Sequence, residues 1–143
     1  MRKPIKRKKP AYKHQTVMLI DDNELDNFIN QKVIESSFFA EKIYVNTSGA
    51  SALEFFKNLL VNKKLTDTLI PSLIFLDINM PLMDGFQFMD EYNRLPKELK
   101  GKIKIVFLTT SISTNDKDMV AKYGNTVSFI NKPLNEESLS TLK

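Results

Sequence analysis

Short apolar runs and helical stripes alternate along this chain. Val17-Met18-Leu19-Ile20 is too short for a helix and ends on Asp21-Asp22, which predicts a buried strand over 16–21 that delivers acids to its end. From Asp22 the spacing changes. Leu25, Phe28, Ile29 and Val33 form an i, i+3, i+4, i+8 stripe, a helix for which Asp22 or Asn23 is the N-cap. Ile43-Tyr44-Val45 predicts a second strand, closed by Asn46-Thr47-Ser48-Gly49, and Leu53, Phe56 and Leu60 mark a second helix capped by Ser48. A long polar loop, 62–71, leads to Pro71 and a third strand over 72–77. Phe86, Met89 and Tyr92 belong to a third helix that Pro96 stops. A fourth strand, Ile103 to Leu108, ends at Thr109-Thr110-Ser111; a short helix follows near 115–123 with Gly124 at C′. Val127-Ser128-Phe129-Ile130 predicts a fifth strand ending at Asn131-Lys132-Pro133, and a last helix begins near Asn135.

Five strands alternating with five helices argue for an α/β chain with a parallel sheet wrapped on both faces. Right-handed crossovers then leave every strand C-terminus on one edge, where such folds bind their ligands. The strand ends carry Asp21 and Asp22, Asp77, Thr109 and Lys132. Asp77 stands out: Leu73-Ile74-Phe75-Leu76 runs into it, and Pro81 and Gly85 break the chain soon after. Hard oxygen donors without His or Cys select Mg²⁺ or Mn²⁺ over zinc. A divalent cation would relieve the repulsion among crowded carboxylates, and a lysine and a hydroxyl opposite them could hold phosphoryl oxygens. A carboxylate can itself be the nucleophile, giving an acyl phosphate. The inventory reads as phosphoryl transfer to Asp.

Composition narrows the class without changing that reading. The 143 residues suit one domain, and 42% hydrophobic against 27% charged is ordinary for a globular protein. No apolar run reaches the ~18 residues of a membrane span, and no apolar segment follows the basic start as in a secretory signal. The absence of Cys excludes disulfides and thiolate metal sites and leaves the cytoplasm as the default location. The net charge of +4 hides an asymmetry: Arg2, Lys3, Lys6, Arg7, Lys8, Lys9 and Lys13 crowd the start, and without them 14 basic residues face 17 acidic ones. Residues 1–15 are therefore read as a basic, disordered arm, in which the lone His14 is inert, and 16–143 as the folded domain. Such an arm could bind an anionic surface, but no aromatic interleaving or recognition helix accompanies it.

Four segments together carry a family resemblance: Val17-Met18-Leu19-Ile20-Asp21-Asp22-Asn23, Leu76-Asp77-Ile78-Asn79-Met80-Pro81-Leu82-Met83-Asp84-Gly85, Val106-Phe107-Leu108-Thr109-Thr110 and Phe129-Ile130-Asn131-Lys132-Pro133. In this order and spacing, 16–143 resembles a response-regulator receiver domain of the two-component signalling systems. The resemblance implies a doubly wound, flavodoxin-like, five-stranded parallel sheet of order 2-1-3-4-5 with five helices. It implies that Asp77 accepts a phosphoryl group from a sensor histidine kinase or phosphotransfer protein in a Mg²⁺-dependent reaction. Asp22 and Asp77 would ligate the ion through side chains, Asn79 through its backbone carbonyl, and Asp21 mainly through metal-bound water. Lys132 would contact the phosphoryl group, Thr109 would swing toward it, and Phe129 would follow inward as the second half of a switch. Lys132-Pro133 resembles the family's cis peptide. The chain would then be a phosphoacceptor signalling to a downstream protein, rather than an enzyme acting on a separate substrate.

Other readings compete at single residues. Asp21 and Asp22 could cap a helix, Thr109 could be a plain strand-end hydroxyl, and Phe129 could be core. Phe129 also stands where many relatives have Tyr, so no phenol hydroxyl serves the switch. Asp84-Gly85 is read as turn chemistry capping the third helix. Asn79 and Ser111, both small and polar, are expected to flank an open water path to the phosphoryl group. The sequence stops ten residues past Pro133, so the last helix, 135–143, is about two turns; that argues against dimerisation through the family's usual output face. It also favours, as an alternative, a receiver excised from a larger regulator or hybrid kinase. DNA binding through an appended helix-turn-helix is not expected. From another class, an aspartyl-phosphate phosphohydrolase would want a second acid two residues after Asp77, where Asn79 stands. A nucleotide-binding relative would want a Gly-rich loop where Asp21-Asp22-Asn23-Glu24 stands.

Overall fold

The computed structural model describes residues 11–110, 113–123 and 127–142. The residues of the basic arm before position 11, together with Ser111 and Gly124, lie outside the described residues. Five strands, β1 (His14–Ile20), β2 (Ala40–Asn46), β3 (Leu73–Asp77), β4 (Lys104–Thr109) and β5 (Val127–Asn131), pair in parallel in the order β2-β1-β3-β4-β5. This is the doubly wound sheet expected from the sequence. Its helices are α1 (Glu24–Ser36), α2 (Gly49–Val61), α3 (Gly85–Tyr92), α4 (Lys97–Lys100), α5 (Thr114–Ala121) and α6 (Glu136–Ser140).

Residue alternation along the strands splits the core in two. Met18, Ile20, Ile74, Leu76, Ile105 and Phe107 face one side, packed with Phe56, Phe88, Leu99 and Val120 from α2 to α5. Val17, Leu19, Leu73, Phe75, Val106 and Leu108 face the other, against Ile34 of α1 and Leu139 of α6. Both faces are covered, which is why the central strands read as unbroken apolar runs.

The expected caps are present. Asn23 Oδ1 accepts from the Asp26 amide at 3.0 Å, and Ser48 Oγ from the Ser51 amide at 3.1 Å. Asp84 and Gln87 form a capping box at the start of α3.

Four details depart from expectation. A sixth helix, α4, adds one turn after Pro96, where Leu99 is buried and anchors it. The last helix is only five residues long, with Asn135 as its cap. Strand β1 begins at His14, two residues before the expected start, so this histidine is not in the arm. Its Nδ1 lies 2.6 Å from Ser72 Oγ and its ring 4.8 Å from that of Phe39.

The fourth departure is the rotation of α1. Leu25, Phe28 and Ile29, the expected inward stripe, are exposed, Leu25 at 66% and Phe28 at 58%. The helix buries Asn27, Asn30 and Ile34 instead. Asn27 Nδ2 donates to the Asp21 carbonyl at 2.8 Å, and Asn30 Oδ1 accepts from the Leu134 amide at 3.2 Å. These bonds compensate in part the burial of two amides that an apolar-stripe rule would put outside; Asn27 Oδ1 and Asn30 Nδ2 stay buried without a partner among the described residues.

Candidate functional site

The parallel topology brings the ends of β1, β3, β4 and β5 to one edge, and the polar residues there follow from local backbone bonds. The Asp21 amide donates to the Asn46 carbonyl at 3.1 Å, carrying the β1–β2 ladder one residue past the strand. Asp21 Oδ1 accepts from the Asn23 amide at 2.9 Å, so the turn into α1 holds the carboxylate inward. Asp77 is the last residue of β3; the next amide, that of Ile78, donates to the Leu108 carbonyl at 3.1 Å. Gly85 then returns against this strand end, its amide donating to the Ile78 carbonyl at 2.8 Å. A Cβ at position 85 would stand 2.7 Å from the Asp77 carbonyl oxygen and 3.0 Å from Ile78 Cα, so glycine is a packing requirement here.

Asp21 and Asp77 are buried and Asp22 is exposed, and one carboxylate oxygen from each lies within 4.8 Å of the others. Lys132 follows β5, its amide donating to the Thr109 carbonyl at 2.7 Å, and a cis peptide joins it to Pro133 as expected. Its ammonium reaches three acids: Asp21 Oδ2 at 2.6 Å, Asp26 Oδ2 at 3.1 Å and Asp77 Oδ1 at 3.4 Å. Asp21, Asp22, Asp77 and Lys132 are thus gathered as the sequence suggested. Thr109 is fully buried at the adjoining end of β4. Asn79 is exposed, its amide 3.4 Å from Asp77 Oδ1. Phe129, paired in register with Phe107, is 39% exposed and makes no part of the acidic cluster. Asp84 serves the α3 cap rather than the cluster. Asp26 is the member that sequence reasoning missed. It lies on the first turn of α1, and only the fold brings it to Lys132, 106 residues away.

The electrostatics are those of acids forced together. Burial, and then the negative charge of Asp21, push the Asp77 carboxyl up to about 6, against the pull of Lys132 and the Asn79 amide. Burial disfavours the Lys132 ammonium, but its hydrogen bond to Asp21 and the charges of Asp77 and Asp21 outweigh this and raise its pKa above the ordinary lysine value. One ammonium therefore offsets three acids only in part, and repulsion between Asp77 and Asp21 persists. All-oxygen donors, closely spaced and under repulsion, fit a hard divalent cation.

Comparison with known proteins identifies the family. The model of the family described as "Response regulator receiver domain" matches residues 17–142, and the chain belongs to that family. It is accordingly a receiver domain of the two-component response regulators, a signalling domain and not a conventional enzyme. Response regulator Rcp1 of Synechocystis is 29% identical over 76% of this chain and 69% of its own length. The sensor histidine kinase CheAY of Helicobacter pylori is also 29% identical, over 88% of this chain but only 14% of that protein. Among solved structures, a two-component response regulator from Cytophaga hutchinsonii matches with a TM-score of 0.77 and 28% identity, covering 90% of this chain and 92% of its own.

Proposed function

We propose that this receiver accepts a phosphoryl group on Asp77 from the phosphohistidine of a sensor histidine kinase or phosphotransfer protein, in a reaction that needs Mg²⁺. The observation that carries the reading is the meeting of Asp21, Asp22 and Asp77 within 4.8 Å with the Lys132 ammonium on two of them. An Asp77 carboxylate oxygen attacks phosphorus, the P–N bond to the donor imidazole breaks, and the ring nitrogen leaves with the N–P electron pair and takes up a proton. The nucleophile must be ionised. A carboxyl pushed up to about 6 is ionised for the most part at neutral pH, and Lys132 favours that form.

The donor set suits Mg²⁺, with Mn²⁺ an alternative: Asp22 and Asp77 would hold it by side chain, Asn79 by its backbone carbonyl and Asp21 through water. Such an ion would supply positive charge to the phosphoryl oxygens. Lys132 holds those oxygens from the other side. Thr109 turns its hydroxyl toward the phosphorylated residue and Phe129 moves in behind it. The 39% exposure of Phe129 is consistent with an outward starting position. A downstream protein reads the altered β4–β5 surface, and the cytoplasm is the proposed location. The proposed basic arm ends before Tyr12, whose ring lies 5.9 Å from that of Phe38, and the Lys13 amide donates to the Phe38 carbonyl at 3.3 Å.

Incubation with Mg²⁺ and acetyl phosphate or phosphoramidate, followed by intact mass, tests the reading. One added phosphoryl group that is lost in Asp77→Asn and without Mg²⁺ supports it. An unmodified wild-type protein would overturn it.

A further inference from the structure

A lysine ammonium has three N–H donors, and Lys132 has three carboxylates within 3.4 Å. Asp21 and Asp26 take hydrogen bonds from it, whereas Asp77 at 3.4 Å is the longest of the three contacts, so the ammonium is drawn toward α1, and a phosphoryl oxygen on Asp77 competes with Asp26 for it. The three are not equivalent. Asp21 is almost wholly buried, and losing its cation would leave a buried charge unpaired. Asp77 is the residue that carries the phosphoryl group in the reading above. Asp26, its side chain 32% exposed, can exchange the lysine for water at small cost. Its backbone is pinned, because its amide donates to Asn23 Oδ1 at 3.0 Å, so the carboxylate stays beside Lys132 while its partner moves.

We propose that Asp26 is a positioning residue, a catch that draws the Lys132 ammonium toward α1 in the unphosphorylated protein and yields it to the phosphoryl group. The inference rests on Asp77 as the phosphoacceptor. The catch weakens the phosphorylated state, because Asp26 competes with the phosphoryl group for the Lys132 ammonium. Removing the Asp26 charge frees one donor beforehand and shifts the balance toward acyl phosphate.

A plain alternative is that Asp26 only complements the α1 dipole as an acid of its first turn. Glu24 supplies the control, being exposed and in the same turn. Asp26→Asn, Asp26→Glu and Glu24→Gln are compared with wild type in two measurements. The first is the ¹H–¹⁵N signal of the Lys132 ammonium without any phosphodonor. The second is the fraction phosphorylated at fixed subsaturating acetyl phosphate and Mg²⁺. Asp26→Asn should shift the ammonium signal and raise the phosphorylated-to-free ratio by about fivefold, the upper end for an ion pair with solvent on one side only. Asp26→Glu should restore both toward wild type and Glu24→Gln should change neither. If Asp26→Asn matches Glu24→Gln in both measurements, the catch does not exist. If wild type takes up no phosphoryl group, the phosphoacceptor reading fails, and an ammonium signal unmoved by Asp26→Asn would reject the anchoring contact separately.

Discussion

Asn30 Oδ1 accepts the Leu134 amide at 3.2 Å, joining the inward face of α1 to the residue just past Lys132-Pro133. The bond is buried, so its loss exposes nothing to water that could compensate. Asn30→Leu is expected to destabilise by about 1 kcal/mol: the orphaned Leu134 amide costs ~1–3 kcal/mol, and removing Asn30 Nδ2, itself unpaired, offsets part. Phe28→Ser should change stability by less than ~1 kcal/mol, because its ring is exposed and only the Lys32 ammonium at 5.5 Å rests on it. Urea denaturation of the two variants checks the pair. A larger loss at Phe28 would mean that α1 packs with its other face inward.

Asp77 should destabilise the metal-free protein when ionised. Its folded pKa of about 6 lies above the ordinary carboxyl value, so its stabilising contribution is complete below about pH 4 and disappears as pH rises through 6. In chelated buffer at pH 7.5, Asp77→Asn should therefore melt several degrees above wild type, and the gap should close toward pH 4. Millimolar Mg²⁺ should raise the wild-type midpoint and leave Asp77→Asn almost unmoved. Scanning calorimetry with and without the ion reads both effects.

His14 should act with the opposite sign. Burial, then the charges of Lys13 and Lys104, lower its pKa, so the fold prefers the neutral ring. That contribution is complete above the unfolded value near 6.5 and is lost as pH falls through the lower folded value. Because Asp77 titrates nearby, the comparison belongs in the Asp77→Asn background, where His14→Gln should flatten the fall in stability between pH 7 and 5. An unchanged slope there would show that this imidazole titrates as freely as in an unfolded chain.

Gly85→Ala should cost about 1–3 kcal/mol, since the added methyl meets backbone at Asp77 and Ile78, which cannot rotate away. The same displacement falls on the carboxylate at position 77, so Mg²⁺ affinity should drop with stability. Equilibrium unfolding and a calorimetric Mg²⁺ titration on this one variant report both losses. A stable variant with weakened Mg²⁺ binding would separate the two effects.

Much of this architecture was legible in the chain. The strand ends at Asp21, Asp77, Thr109 and Lys132 are marked by apolar runs that stop on polar residues, and the caps at Asn23, Ser48 and Asp84 are local chemistry. What was hidden depends on partners distant in sequence. Periodicity locates a helix at Leu25–Phe28–Ile29 but not the side it presents, and the amide that Asn30 meets on the inward side belongs to Leu134, 104 residues on. Asp26 joins the cluster through a lysine 106 residues away, and no spacing rule reaches that far. His14 looked like part of a basic tail because Ser72 and Phe39, which hold it, are remote in sequence.

The long separation between Lys132 and its acids has a consequence in time. On a ribosome the three aspartates of the cluster are made first, and the lysine arrives several seconds after Asp77 at roughly 5–20 residues per second. During that interval β1 and β3 can pair, but their terminal carboxylates repel with no ammonium between them. The nascent sheet edge then carries negative charge that is offset only when Lys132 arrives.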